Sequence, residues 1–491
     1  MRDEAANSVV EMSGWELSRA IHEKKLSCRE AMRAYLDHIA RVNPRVNAVV
    51  ALRDGEALLA EADLKDALLA RGEDGGWMCG FPQAVKDMEE TRGIVTTYGY
   101  RGFRDFVPDF DGFVARRLKE AGSVLIGKTN TPEWGLGSNT YNEVYGATGN
   151  PYDHALTSGG SSGGTACALA MRMQAVADGS DYMGSLRNPA GFCNVYGFRP
   201  SWGRVPNSGK DLFLNTFTTR GPMARNVADL ALLLATLAGY DEKIPLSLAD
   251  DADLASLNPR NVRDRLKTDL RGKKIAWLGD WNGYLPMEAG VLETCEKALE
   301  SFSPLGVAVR PLPPPYDPAV LWNEVWLPLR HFTSQSLRPF YDDPEKRALL
   351  KPEAVYEYEG GKRYGPADVY FAGIKRGEWF LALLKVFEEY DYVAVPTAQV
   401  FPFDKTVRWP AEIAGKKMDS YHRWMEVVIP WTLSACPVVA VPAGFREGPN
   451  GELPMGIQIV GKPRGDFDLL RLAAAYESCK DWVGTRKPAY A

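Results

Sequence analysis

Four short apolar runs constrain the fold of this chain more than any other feature. They are KKIAWLG (Lys273 to Gly279), YVAVP (Tyr392 to Pro396), CPVVAVP (Cys436 to Pro442) and MGIQIVG (Met455 to Gly461). Each is too short for a helix, apolar at its centre and closed by Gly or Pro, the pattern of a buried core strand. Helical spacing surrounds them. Trp15, Leu17 and Ile21 and then Met32, Leu36 and Ile39 repeat at helical intervals, with Ser27 placed to cap the second helix. Ala115 to Ala121 reads as helix before a strand at Ser123 to Ile126, and Thr165 to Met173 as helix before a strand at Ala175 to Ala177. Val227 to Leu237 is helical again. Such alternation predicts an α/β fold, a single large domain with a mixed, mostly parallel central β-sheet and helices on both faces. Residues 241–390 are less patterned and hold the turn-rich PLPPPYDP (Pro311 to Pro318). They read as an insertion or subdomain inside one domain spanning 1–491.

Charge and cysteine usage remove several function classes. The net charge is −5 and the Lys and Arg residues are scattered, so no nucleic-acid groove is expected. Seven cysteines, an odd number without a CxxC pair, fit free thiols in a reducing compartment. The N-terminus shows no apolar leader. The longest uncharged run, Val427 to Phe445, is interrupted by Pro430, Pro437 and Pro442 and reads as buried loop and strand, not a membrane span. A cytoplasmic protein with no membrane partner is the expectation. No HExxH and no paired Cys/His spacing occurs, so neither a metal nor a cofactor is expected.

Two serine-glycine knots carry the chemistry: GGSSGG (Gly159 to Gly164) and GSDYMGS (Gly179 to Ser185). The first contains GxSxG, the nucleophile elbow, but that turn needs a strand before it and a histidine after it. The preceding NPYDHALTS makes no strand, and the later histidines, His331 and His422, sit in no suggestive setting. A phosphate loop would need a lysine after Gly164, which is missing. Taken singly, the glycines read as loop and cap residues. Taken together, the knots can converge at one end of a sheet, because a helix and a short strand join them. Ser185 then follows the backbone amides of Tyr182, Met183 and Gly184 near a helix start, where successive N–H groups can stabilise an oxyanion. With histidine scarce, a lysine could take the proton. Neutralising one near pH 7.4 means a shift of about three units, roughly 4 kcal/mol. Lys86, at the end of the apolar QAV run in PQAVKDMEE, is the best placed. Alone it reads more readily as a surface or salt-bridge residue, paired with Asp87.

A series of blocks in order resolves the ambiguity. They are ELSRAIHEKKLSCREAMRAYLDHIARVNPRVNAVV, FPQAVKDMEETRGIVTTYG, VARRLKEAGSVLIGKTNTPEWGLG and GATGNPYDHALTSGGSSGGTACALA. GSDYMGSLRNPAGFCNVYGFRPSWGRVP, TTRGPMARNVADLALLLATLAG and CPVVAVPAGF with ELPMGIQIVGKPRGDFDLLRLAAAYE follow. With these the sequence resembles the amidase signature family, hydrolases with a Ser–cis-Ser–Lys triad, over roughly residues 8–240 and 385–480. The resemblance implies that Ser185 is the nucleophile, Ser161 the bridging serine after a cis peptide, and Lys86 the base. It also implies that Ser162 and Asp181 support the network, that Arg187 braces the loop, and that Trp134 and Gly135 wall the substrate pocket. Trp322, Trp326, Trp409, Trp424 and Trp431 are further pocket candidates. The expected substrate is a small or medium carboxamide, such as an arylamide, hydrolysed through an acyl-enzyme, and the family's habit points to a homodimer. Carbamate or ester cleavage, or a role as the amidase subunit of a glutamine-dependent amidotransferase, are the alternatives. One departure stands out. The family usually reads G-[ST]-D-x-G-G-S, and Met183 replaces a glycine; Tyr182 and Asn188 also differ from the commoner aliphatic choices. A positive φ there would make methionine costly.

Overall fold

The first two helices begin where the sequence caps them. Ser13 and Glu16 form a capping box ahead of α1 (Gly14–His22), and Ser27 and Glu30 do the same ahead of α2 (Cys28–Val46). The computed structural model describes residues 8–489 apart from 208, 210 and 449. Residues 1–7, on which the reading of the N-terminus largely rests, lie outside the described residues. The buried stripe of α2, with Met32, Tyr35, Ile39 and Val42, packs into the larger of two main cores.

A small sheet follows. β1 (Pro82–Lys86) and β2 (Val124–Thr129) pair in parallel, and the two-residue strand Val49–Val50 runs antiparallel on the far side of β2. Every residue of β1 and β2 is buried, as expected for strands covered on both faces. Next come α3 (Gly163–Ala170), β3 (Val176–Asp181), α4 (Arg187–Cys193), β4 (Tyr196–Arg199), β5 (Thr219–Ala224) and α5 (Val227–Leu237).

Residues 241–390 add β6 (Lys274–Trp277), β7 (Ala308–Pro311), α6 (Leu327–Thr333), α7 (Pro352–Gly360) and α8 (Pro366–Glu389). The chain closes with β8 (Tyr392–Pro396), β9 (Val438–Gly448), β10 (Gly451–Val460) and α9 (Asp466–Cys479). Among the described residues, eight strands form the central sheet in the order β7-β6-β8-β10-β9-β4-β5-β3.

The sheet is mixed, as the sequence suggests, but not mostly parallel. Only β7–β6 and β6–β8 are parallel; the other neighbours in the order run antiparallel. The helix-linked strands β3 and β4 do point the same way, yet β5 inserts between them and opposes both. The β9–β10 ladder is a hairpin closed across two residues, which a parallel pair cannot be. Strand-helix alternation fixes the connections, not which later strand fills a gap.

Helices cover both faces, and strand pleating sends alternate residues to each. Tyr392 and Ala394 enter one core with Leu230 and Leu234 of α5 and Leu469 and Leu472 of α9. Val393 and Val395 enter the other with Trp379 and Leu383 of α8. No helix among the described residues is long and apolar enough to cross a membrane.

Candidate active site

The small sheet and the end of the central sheet meet at Lys86. Strand β1 runs beside β3, and the Lys86 N–H donates to the Asp178 carboxylate at 3.2 and 3.3 Å. This contact aims the lysine side chain at the two serine knots. Ser161 and Ser162 sit in the turn that opens α3, and the Gly160–Ser161 peptide bond is cis. The knot's glycines do more than end a loop. A Cβ on Gly164 would lie 2.3 Å from the Asn130 nitrogen, so only glycine lets the start of α3 press against the end of β2.

Lys86 is wholly buried and its amine is surrounded by hydroxyls. Nζ lies 2.8 Å from Ser161 Oγ, 2.9 Å from Ser162 Oγ and 2.9 Å from Ser180 Oγ. No carboxylate takes a hydrogen bond from it among the described residues. Asp87 instead accepts the Thr97 N–H and hydroxyl, so the simple Lys86–Asp87 pair does not form. Burial pushes the lysine down to about 7, with Arg220 adding to the shift and Asp178 and Asp181 opposing it through space. An amine at that point is half neutral near physiological pH, when it can accept the Ser161 hydroxyl proton. Burial also raises Asp178, to about 6.

The second knot is held from below by Asp181. Its carboxylate takes the Gly184 N–H at 2.9 Å and the Leu186 N–H at 3.2 Å, and binds Arg187 through both Nε (2.9 Å) and Nη2 (3.0 Å). Arg199 adds a contact of 3.1 Å. Burial would raise this carboxyl, but Arg187 and Arg199 outweigh it and hold Asp181 well below the usual carboxylate range. The Gly184 N–H is therefore engaged. The N–H groups of Tyr182, Met183 and Ser185 have no hydrogen-bond acceptor among the described residues. Met183 is not in the left-handed region; the positive φ in this loop, +82°, belongs to Gly184. Methionine therefore fits without backbone strain, with its side chain buried in the second core.

The knots share one cavity of about 260 Å³. Ser161, Ser180 and Ser185 line it, and the Ser162 N–H reaches the Ser185 carbonyl at 3.2 Å, tying the loops together. Trp134 and Gly135 line it as expected. Trp134 stands against Tyr98, Tyr100 and Phe340 at centroid distances of 5.4, 5.4 and 4.8 Å. A Cβ on Gly135 would come within 3.4 Å of Ser161 Oγ. Trp322, Trp326, Trp424 and Trp431 are buried in the core, and Trp409 packs against it, so none of these five lines the cavity.

Sequence reasoning missed Ser180, although it belongs to the quoted knot, and the wall supplied by Arg330, Thr333, Ser334 and Ser336. Tyr182 joins that wall through a hydrogen bond between its hydroxyl and Thr333. Among the described residues, no group of three or more His, Cys, Asp or Glu side chains is arranged to hold a metal ion.

Comparison with known proteins bears on the family and the fold. A family model described as Amidase matches residues 30–470. A glutamyl-tRNA(Gln) amidotransferase subunit from Moorella thermoacetica is 33% identical, over 96% of this chain and 97% of its own. The backbone superposes on a bacterial aryl acylamidase described as an amidase signature enzyme with a TM-score of 0.87 at 27% identity, covering 97% of this chain and 99% of that one. It follows the glutamyl-tRNA(Gln) amidotransferase subunit from Thermotoga maritima less closely, at a TM-score of 0.76 and 27% identity over 96% of this chain and 95% of that one.

Proposed function

The chain belongs to the amidase family of hydrolases, and from that premise we propose that it cleaves a small or medium carboxamide through an acyl-enzyme on Ser185. The observation that carries this is the buried Lys86 amine, poised near neutrality and bonded to Ser161 at 2.8 Å beside a cavity that also holds Ser185. Neutral Lys86 takes the Ser161 proton as Ser161 takes that of Ser185, and the Ser185 oxygen adds to the amide carbonyl. The N–H groups of Tyr182, Met183 and Ser185 are the available donors for the resulting oxyanion. The proton returns along the same path to the leaving nitrogen, the amine departs, and water releases the carboxylate. Carbamates and esters can enter by the same acylation step.

The 33% identity to an amidotransferase subunit supports a second reading, in which the chain releases ammonia from glutamine for partner subunits. The cavity argues against it. Free glutamine carries an ammonium as well as a carboxylate, and none of the described residues lining the cavity is acidic. The closer superposition on the aryl acylamidase points the same way.

Intact mass spectrometry after incubation with a fluorophosphonate tests the proposal. One adduct is expected, mapping to Ser185 and absent from Ser185→Ala, together with turnover of simple anilides by the isolated chain. An adduct on Ser161 would move the nucleophile to the first knot. Glutamine hydrolysis without anilide hydrolysis would favour the amidotransferase reading.

A further inference from the structure

One arginine lines the cavity together with the serines. Arg330, on α6, is the only charged residue among the described residues lining the cavity. It is held rigidly. Nε donates to Glu357 Oε1 at 2.9 Å and Nη2 to the Tyr421 hydroxyl at 3.1 Å. Its guanidinium carbon lies 4.5 Å from the centre of the Tyr182 ring, the residue whose backbone begins the loop leading to Ser185. Nη1 takes no part in those two bonds, and the Tyr182 hydroxyl, itself bonded to Thr333, also lies close to the guanidinium. A charged donor fixed in the wall of a cavity, against the ring of Tyr182 in the nucleophile loop, is a built anchor for an oxygen on the substrate.

The charge around Arg330 decides which kind of oxygen. Glu357 on α7 is completely buried and accepts from Arg330, from the Tyr421 hydroxyl and from Ser334 Oγ at 3.3 Å, with His331 Nδ1 at 3.2 Å from its other oxygen. The arginine is thus neutralised before any substrate arrives. A substrate carboxylate would have to shed its water to lie beside a pair that already contains one carboxylate, gaining half of a shared cation and the repulsion of Glu357. An uncharged carbonyl oxygen has far less hydration to lose and takes the same N–H bond.

We infer that Arg330 is a substrate-binding residue selecting acyl groups that carry a second, uncharged carbonyl oxygen, anchored by Nη1 while the scissile carbonyl lies at Ser185. This rests on the amide-hydrolase reading above.

Three matched sets of 4-nitroanilides test it. One set is pentanoyl, hexanoyl and heptanoyl. The second carries a ketone on the penultimate carbon of each: 4-oxopentanoyl, 5-oxohexanoyl and 6-oxoheptanoyl. The third is the half-acids succinyl, glutaryl and adipoyl, which match the ketones atom for atom. At the best length the wild type should favour the ketone over its alkyl partner by about ten-fold in kcat/KM, mostly through KM, as expected for a hydrogen bond from a charged donor. The half-acid should rank no higher than the alkyl chain. In Arg330→Met the ketone-to-alkyl ratio should fall to about one. Because that variant strands Glu357 and can unfold, Arg330→Met/Glu357→Gln is measured alongside, and the ratio within each protein is independent of its folded fraction.

Preference for the half-acids, or a ketone preference that survives in both variants, overturns the assignment. So does a wild type that labels at Ser185 but ranks ketone and alkyl chains equally at all three lengths. A wild type that neither labels at Ser185 nor cleaves any anilide overturns the amide-hydrolase reading beneath it instead.

Discussion

Lys86 and Arg330 are two buried cationic side chains at one cavity, and their surroundings drive them in opposite directions. Around Lys86 the hydrogen-bond partners are three serine hydroxyls. The nearby carboxylates are spent elsewhere, Asp178 on the Lys86 backbone N–H and Asp181 on Arg187 and Arg199. Burial then wins, with help from Arg220, and the amine falls to about 7. Around Arg330, burial works the same way, but Glu357 touches the guanidinium directly and the arginine stays charged, well above its ordinary value. Depth alone does not set charge. What decides it is whether a carboxylate reaches the cation itself or is held one bond away on other donors.

The contrast is easiest to break at the lysine. Arginine cannot give up its proton at working pH, so Lys86→Arg keeps the cation and removes the neutral base. Its kcat/KM on any anilide substrate should fall by about 10²- to 10⁴-fold, as far as that of Lys86→Ala, with fluorophosphonate labelling of Ser185 slowed in parallel. A Lys86→Arg enzyme within a few-fold of wild type would mean that the neutral amine is not the base. The matching change on the other side acts on stability. Glu357→Gln leaves Arg330 charged and unpaired in the interior and should cost about 3–5 kcal/mol in urea unfolding. Lys86→Met, which strands no carboxylate hydrogen-bonded to the amine, should cost clearly less. Equal losses would erase the distinction between the two sites.

The sequence carried one of these sites and not the other, for a physical reason. Lys86, Ser161 and Ser185 stand in short motifs whose spacing is tied to backbone geometry: a strand end, a glycine-dense helix start, a loop of amides. Each motif is local and can be read as a candidate, but the roles came from the resemblance carried by the whole series of blocks; the structure bonds Lys86 to Ser161 and lines one cavity with Ser161 and Ser185. Arg330 owes its position to contacts with Tyr182 and Glu357, on different elements, and nothing in LPLRHFTSQSL marks it. The five further tryptophan candidates, unlike Trp134, lie off the cavity for a related reason. Hydrophobicity reads the same whether a ring faces a cavity or fills a core, and Trp326 packs edge-on against Tyr182 at 5.7 Å without lining the cavity. Sheet direction was lost because β5 inserts between two strands that the sequence joins through α4. For Met183 the sequence could only pose the question of a positive φ, which the backbone assigns to the next residue.

The smallest predicted effect tests the lysine's surroundings rather than the lysine. If neutral Lys86 is the active form, wild-type kcat/KM should rise with pH through about 7 and level off above it, with an acid limb shallower than ten-fold per unit through about 6, where Asp178 gains its proton. The Asp178 carboxylate stabilises the ammonium and so holds the lysine higher than burial alone would leave it. Asp178→Asn keeps an oxygen for the Lys86 N–H but removes that charge. The ammonium loses support, its pKa falls, and the acid limb moves to lower pH. Asp178 itself gains a proton near 6, so well below that pH wild type and variant carry the same charges and their profiles, each scaled to its plateau, should converge. A limb that stays in place or moves upward in Asp178→Asn would show that some group other than Lys86 governs the acid side. A limb that moves down without convergence would assign the shift to a change in loop geometry instead of charge.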